Sequence, residues 1–464
     1  MANTITSGAG ASNFGPQSAL TTDPNKYISL GQLIDPNKPD NRDLLINTYG
    51  DQGITGFLTL TGAVNNAGTA DEVTWWEEGR LHRTITGTVA ATDKLTTSDG
   101  LRKNDVLLGD KGQRLVVLLE TSNTANNVAV LDGGTLDTTQ TKFAIVGNIY
   151  GQGTDQPTKF TQPGIEKYTN PYIITKETYA VNGSQATNIG WVNVGNGDYR
   201  WYVKGEMDTR KRFMNQREMM LLFGQSVNDI RKGANPTLND TADIFVPDGS
   251  STVGVTGSEG YFQGVERRGI VSSLSGGAQG SFASMSDIDT IILELDKEGA
   301  PAEYAMYVNR ATSLDIDDML ANGIATQVTA GLAGQFGAFN NDSDMAVNLG
   351  FKSFTRGGYT FHKHDWKLLN SDYQAGHTTY QGALIPLGTV VDPKNGGSNP
   401  SLEMNYKAAG NYSREMEHWV EGGGVLGYAT NGDDLAKFHY RSECNLCVRA
   451  ANQHVVLKGN NLTA

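Results

Sequence analysis

Cysteine is nearly absent. Cys444 and Cys447 are the only two in 464 residues, which leaves no disulfide framework to read. Long hydrophobic runs are missing as well. No stretch approaches 18 consecutive apolar residues, so no segment reads as a membrane-spanning helix. The first fifteen residues, MANTITSGAGASNFG, carry neither a charged start nor an apolar h-region. They do not read as a secretory signal. Positive charge is in deficit: 37 basic residues face 50 acidic ones, for a net charge of −13. No basic block stands out, which argues against a general nucleic-acid binder and against adhesion to anionic membranes. Internal repeats and low-complexity tracts are lacking too.

Chemical motifs are equally scarce. There is no GxSxG, GxxxxGK[ST] or HExxH, and no GxGxxG between a strand and a helix. Gly422-Gly423-Gly424 lacks the lysine and the following helix that a phosphate loop needs. The carboxylates are many but dispersed. The expectation is a protein that is not an enzyme, with no catalytic residue and no cofactor.

What the chain does have is glycine. There are 56, about 12% of the residues against a usual ~7%. Hydrophobic residues make up 38%, which with glycine places the chain in the globular range. Its length allows two or three folding units.

One stretch has clear helical character, Asp198 to Gly224. Asp198 is an N-cap candidate and Gly224 a stop. Tyr199, Val203, Met207, Met214 and Leu221 recur at spacings of four or seven and predict a narrow apolar stripe. Glu206 with Arg210, and Asp208 with Arg212, are spaced for ion pairs. Gly205 is the conflict, costing about 1 kcal/mol in a helix interior. The stretch reads as a spine, and the rest of the chain is β-rich.

Residues 1–52 read as an arm, with prolines at 24, 36 and 39 blocking regular structure between short apolar pieces. Residues 53–165 are short β-branched runs closed by Gly, Asn or Asp. Leu101 to Asp132 suggests a small barrel or meander around a GDKGQ turn. The region reads as too poor in continuous hydrophobic sequence for a large core of its own. Such hairpins bury their faces on something else, often another chain. Residues 166–197 are a connector with strand character, and 235–260 a loop or insertion. MSDIDTIILELDKE (Met285 to Glu298) predicts a second helix, capped by Ser286. Glu303 to Asn309 predicts a buried strand and Ser313 to Asn322 a short helix. Residues 336–395 return to β, and the last forty residues read as a strand pair that closes the fold. The alternation implies an α+β fold.

Three constellations invite a chemical reading. Cys444-x-x-Cys447 with His439 and His454 has the residues of a metal set. A structural zinc site, however, needs four ligands on turns, and residues three apart on a strand point to opposite faces. Buried free cysteine is the commoner reading. His362-x-His364-Asp365 puts two imidazoles on one strand face without a third ligand. No metal is expected. Trp75, Trp76, Glu77, Glu78, Arg80 and Arg83 have the aromatic and alternating-charge character of a contact surface. The plainer reading is a partly exposed edge strand.

The order of these parts resembles the major capsid proteins of tailed bacteriophages, the Hong Kong ninety-seven fold shared with encapsulins. TWWEEGRLHR (Thr74 to Arg83) is similar to the start of that family's extended loop. GLRKNDVLLGDKGQRLVVLLE looks like a strand–turn–strand within it. TRKRFMNQREMMLLFGQ looks like the distal spine helix, and EYAMYVNRATSLDIDDMLANG and GYTFHKHDW look like the peripheral and axial domains. ALIPLGTVVD and the closing strand are similar to capsid proteins of crAss-like gut phages. The resemblance covers most of the chain and rests on order and texture.

That resemblance implies an arm at 1–52 and an extended β-rich loop with a small β insertion at 53–165. The connector, spine helix and peripheral domain would occupy 166–300, the axial domain 301–440, and a C-terminal return strand 441–464. It implies a structural subunit assembling into hexamers and pentamers of an icosahedral capsid around a phage genome. Its partners would be copies of itself, with auxiliary or decoration, scaffold and portal proteins. Packaged double-stranded DNA would be touched only non-specifically, and no membrane at all. The subunit would be made in the host cytoplasm and reside in the virion. With no long helical prelude before the arm, a separate scaffold or none is expected. Two alternatives are an encapsulin-like cage and a β-rich tail or glycan-active protein. The first is usually shorter in the loop, and the second would need repeats or paired carboxylates in a cleft.

Overall fold

The computed structural model describes residues 64–187, 201–226, 257–327 and 353–459, apart from residues 67, 83, 92, 98–99, 121–124, 158–161, 275, 277–281, 372–373, 392–397 and 428. The expected arm, the N-cap candidate Asp198 and most of the loop at 235–260 lie outside the described residues.

Strands β1 (Val64–Asn66) and β2 (Glu72–Glu78) come first. Six more follow: β3 (Thr84–Ala91), β4 (Lys94–Thr97), β5 (Asp105–Gly109), β6 (Arg114–Glu120), β7 (Ala125–Val130) and β8 (Lys142–Asn148). Next are β9 (Ile165–Pro171), β10 (Ile173–Asn182), the short helix α1 (Gly183–Thr187) and the long helix α2 (Trp201–Phe223). An alternating stretch holds α3 (Tyr261–Arg268), β11 (Ile270–Ser273), α4 (Met285–Lys297), β12 (Glu303–Val308) and α5 (Arg310–Gln327). Then come β13 (Ser353–Arg356), β14 (Tyr359–Asp365), β15 (Tyr380–Pro386), β16 (Thr389–Val391) and β17 (Ser398–Pro400). The chain closes through β18 (Leu402–Tyr406), β19 (Ala408–Ala409), β20 (Tyr412–Ser413), β21 (Glu417–Gly422), β22 (Leu435–Val448) and β23 (Val455–Lys458).

The chain divides into two compact units. Of the described residues, one holds those within 178–210 and 420–438, and the other those within 64–177, 211–419 and 439–459. In the first, Gly205 lies beneath Tyr179, where a Cβ would sit 2.5 Å from the phenol oxygen. The conflict read in the sequence is therefore a close approach: helix and ring meet where only glycine fits. The Tyr179 ring in turn lies 6.1 Å from that of Phe438.

The second unit is built on a six-stranded mixed sheet of order β11-β23-β15-β12-β14-β13. Successive residues of its inner strands feed opposite cores. Ala383 and Ile385 of β15 join one cluster with Leu221, Leu222, Phe262 and Leu446. Leu384 joins the other with Ile288, Ile291, Leu295 and Ile316. A sheet covered on both faces reads as continuous apolar sequence, as β12 does. The cap of helix α4 lies two residues earlier than predicted. Ser284, not Ser286, precedes the helix, and the Asp287 carboxylate accepts the Ser284 N–H at 3.2 Å. Helix α5 is longer than expected because Asn309, whose Oδ1 accepts the Thr312 N–H at 2.8 Å, starts it at Arg310.

Two further expectations are corrected. The buried face of α2 is Thr209, Phe213, Arg217 and Leu221, spaced by four, whereas Met207 and Met214 of the expected stripe are exposed. Polar residues hold that face because they have partners: Thr209 Oγ1 donates to Gly205 O at 2.8 Å and Arg217 donates to Glu415 O at 2.9 Å. Asp208 pairs with Lys204 at 2.5 Å and Arg212 with Glu177 at 2.9 Å, rather than with each other. The two closing strands do not form a pair. β22 lies in a second sheet of order β1-β18-β22-β10, with β21 also against β22, while β23 lies in the six-stranded one. A left-handed Ala450 (φ 49°) marks the crossing between sheets.

Strands β3 to β8 close into a barrel of order β3-β4-β7-β6-β5-β8. It has a core of its own: Ile85, Leu95, Leu101, Leu107, Leu115, Val117, Val128 and Phe143. This corrects the reading of the region as too poor in hydrophobic sequence. Closure lets one inward residue in two suffice, so short alternating strands fill a barrel without long apolar runs. The first and last strands pair, Thr84 against Ala144, so the barrel begins and ends at one place.

Candidate inter-subunit surface

The predicted contact residues lie on an antiparallel ribbon of two strands. β2 pairs with β9 from Glu72 opposite Pro171 to Glu78 opposite Ile165, and the Gly79 N–H closes it on Gly164 O at 2.7 Å. Because side chains alternate, the register sorts the residues onto two faces. Val73, Trp75 and Glu77 share one with Glu166, Tyr168 and Asn170. Thr74, Trp76 and Glu78 share the other with Ile165, Lys167 and Thr169.

The first face is engaged by its own chain. Trp75 is buried, its indole N–H donating to Glu77 Oε1 at 2.9 Å. Its ring lies 5.9 Å from Tyr168, and the Arg268 guanidinium covers both, 5.6 Å from Trp75 and 4.6 Å from Tyr168. Glu77 Oε1 also accepts the N–H of left-handed Ala450 at 3.0 Å. Asn170 binds three segments together. Its amide donates to Leu446 O at 2.7 Å and Glu259 O at 2.9 Å, and its carbonyl accepts from Ser258 Oγ at 3.0 Å and Glu259 N at 2.8 Å. The Tyr168 hydroxyl donates to Glu166, and that bond, with burial, pushes the phenol up to about 12. Beyond the ribbon, Arg80 donates to Glu298 at 2.6 Å and to Lys297 O at 2.8 Å, at the C-terminal end of α4.

The second face looks outward. Trp76 is 65% exposed and Ile165 64%, with Leu81 just beyond the ribbon at 76%. Lys167 lies 5.9 Å over the Trp76 ring. Of the six predicted residues, the structure thus leaves Trp76 and Glu78 free to face a partner. It sets Trp75 and Glu77 inside the chain and ties Arg80 to α4. Trp75, named with the contact residues, has its N–H and its ring already engaged within the chain, by Glu77, Tyr168 and Arg268. Arg83 lies outside the described residues. Ile165 and Leu81 went unnoticed in the sequence, although the alternation of IEKYTNP carries the signal for Ile165.

No family model matches the chain, and no curated protein sequence does. Solved structures are similar at low identity. The capsid of a native GTA particle covers 93% of this chain and 96% of its own, at 10% identity and a TM-score of 0.41. A chain of Mycobacterium phage Cain covers 94% and 100%, at 10% identity and 0.40. The holo-SrpI encapsulin complex from Synechococcus elongatus PCC 7942 covers 66% and 79%, at 12% identity and 0.33.

The other constellations are held in the fold. Cys444 and Cys447 are both buried in β22, and burial pushes both thiols up, Cys447 to about 12. Protonated thiols are neither nucleophiles nor ready metal ligands. His454 is fully buried with Nδ1 3.2 Å from the Tyr261 hydroxyl. His439 stacks on Trp419 at 5.0 Å and His364 on Tyr307 at 5.1 Å. Among the described residues no group of three or more His, Cys, Asp or Glu is placed to hold a metal ion. A recess of about 600 Å³ beside α2 is lined by Met219, Met220, Phe223, Ala375 and His377. Its apolar lining suits hydrophobic bulk rather than acid–base chemistry.

Proposed function

We propose that this chain is a non-catalytic shell subunit, the major capsid protein of a tailed phage. Copies associate into six- and five-fold rings that close an icosahedral capsid around the genome. The single observation that carries the reading is the two-faced ribbon. One face is fixed to its own chain by Trp75, Glu77 and Asn170, and the other holds Trp76 and Ile165 out to solvent. A two-stranded ribbon is marginal alone, and an outward Trp beside aliphatics is the composition of an interface core. Trp76, Glu78, Leu81 and Ile165 form the contact on this reading. The order of elements supports it: a β-rich excursion, a 23-residue helix, a mixed α+β body and a return strand follow as the sequence resemblance implies.

The domains on this reading are an arm at 1–52, the excursion at 53–165, connector, spine and peripheral domain at 166–300, axial domain at 301–440 and return strand at 441–464. One heterologous contact repeated by rotation closes rings of both orders, and many weak contacts per subunit sum to a stable shell. The chief partner is the chain itself, with auxiliary, scaffold and portal proteins around it. A net charge of −13 keeps the subunit from clinging to packaged DNA. The subunit is made in the host cytoplasm and resides in the virion. Negative-stain microscopy and sedimentation of the purified chain test this. Rings or closed shells are expected, and a monomer at all concentrations would contradict it.

A further inference from the structure

The strand register of the barrel slips at three places, between β3 and β4 at Val89/Ala91, between β6 and β7, and between β5 and β8, and the last two are joined through one strand. On β6, Leu115 and Val117 point inward and are fully buried. The register with β7 then slips between Val117 and Leu119, leaving Leu118 as an extra residue. Two consecutive leucines consequently face out, Leu118 at 51% and Leu119 at 53% exposure. On β8 the register with β5 slips as well: Ile145 pairs with Leu107 and Gly147 with Val106, so Val146 is the extra residue. Val146 is 66% exposed and Ile149, just past the strand, 52%. The start of β5 ties the two breaks together. Asn104 N donates to Val117 O at 2.8 Å, and Asn104 O accepts from Ile149 N at 3.0 Å. Leu118 and Ile149 therefore flank one residue on neighbouring strands, each about 5 Å away.

Bulges re-aim side chains at barrel rims, and here two of them turn aliphatic residues toward water. On β3 and β4 the outward residues are polar, Thr84, Thr86, Thr88, Lys94 and Thr96, and the other exposed aliphatics of the barrel are Leu108 at 37% and Leu131 at 45%, both beside Arg114. Four neighbouring exposed aliphatics at one end are not the scatter expected of an ordinary surface.

We infer that this bulged end, Leu118, Leu119, Val146 and Ile149, is a contact surface for a second copy of the chain. The four side chains are all aliphatic, so what they offer a partner is apolar area, with the exposed Lys103 at its edge. Four aliphatic side chains fall well short of the ~800 Å² per partner that a stable pair needs. A lone partner held here would dissociate. The contact lasts only where others act at the same time, as between copies that also meet through the ribbon, whose β9 with Ile165 is the next strand in the chain after β8. The inference rests on the shell reading in that respect.

The full-length Leu118→Cys chain, labelled with a photoreactive maleimide, tests it. Native Cys444 and Cys447 are fully buried and escape the label. Photolysis of assembled particles should yield chain-to-chain cross-links at residue 118. Particles that form normally but give no such cross-link overturn this surface and leave the shell reading standing. An unlabelled chain that never assembles overturns both. A cross-link to an unrelated protein, with none between copies, overturns this inference alone. The Leu118→Lys and Val146→Lys double variant gives a second readout. It should keep the parent's unfolding midpoint in urea and raise the concentration at which assembly begins about tenfold. An unchanged onset counts against it.

Discussion

At the scale of single residues, the ribbon's two tryptophans do different work. Trp75→Ala removes a buried ring packed on Tyr168 and Arg268 and should cost about 3 kcal/mol of stability. Trp76→Ala should change stability by less than ~0.5 kcal/mol and weaken association instead. Urea unfolding and sedimentation, run on both variants, separate the two effects. Asn170→Asp loses the two donations to Leu446 O and Glu259 O and buries a charge, so about 3 kcal/mol should again be lost. Equal midpoints for wild type and variant would refute the junction assigned to it. His454 gives a pH dependence. Burial lowers it from 6.5 to about 3, so the unfolded chain takes up a proton as pH falls through 6.5 while the folded chain does not. Stability is full above pH 6.5 and declines toward pH 3, by up to ~1.4 kcal/mol per unit. His454→Gln should be less stable at pH 7 and show a shallower decline between pH 6.5 and 4. Of this residue-scale picture the sequence made the aromatic cluster visible. It could not say which tryptophan turns inward, because that depends on β9, more than ninety residues away, supplying Tyr168 and Asn170.

At the scale of elements, α2 and the barrel are the instructive cases. Helix α2 was legible from its length and its glycine stop, but not its buried face. Thr209 and Arg217 occupy that face through hydrogen bonds that no hydropathy pattern encodes, and the exposed methionines imitate a core stripe. Gly205→Ala should improve helix propensity by about 1 kcal/mol yet destabilise the protein, because the new Cβ would fall 2.5 Å from the Tyr179 oxygen. Gly205→Ala combined with Tyr179→Leu should recover part of the loss in thermal melts. The barrel's strands were visible, and its closure was only one of two options for part of the region. Pairing of β3 with β8 joins segments some sixty residues apart, and local alternation does not specify that. Since the barrel holds its own core and its ends meet, residues 84–150 alone should fold. Dispersed amide resonances and a cooperative melt are the expected signs, and a disordered spectrum would refute a self-sufficient core.

At the scale of the whole molecule, the order of parts carried the fold class and the sequence already named Trp76 and Glu78, while the exposure of Ile165 and of the barrel rim came only from the structure. The Ile165 side of the ribbon and the bulged barrel rim are products of register. A one-residue slip would have turned them inward. Excising residues 84–148 should therefore leave the six-stranded sheet intact by circular dichroism and impair assembly. Normal particles from that deletion would remove the barrel from the account. The most direct test of the central claim is sedimentation velocity of the purified full-length chain and Trp76→Asp across a hundredfold concentration range, with the largest species imaged in negative stain. The account requires rings or shells from the parent and predominantly monomer from the variant. A parent that stays monomeric, or a variant that assembles as well as the parent, would contradict it.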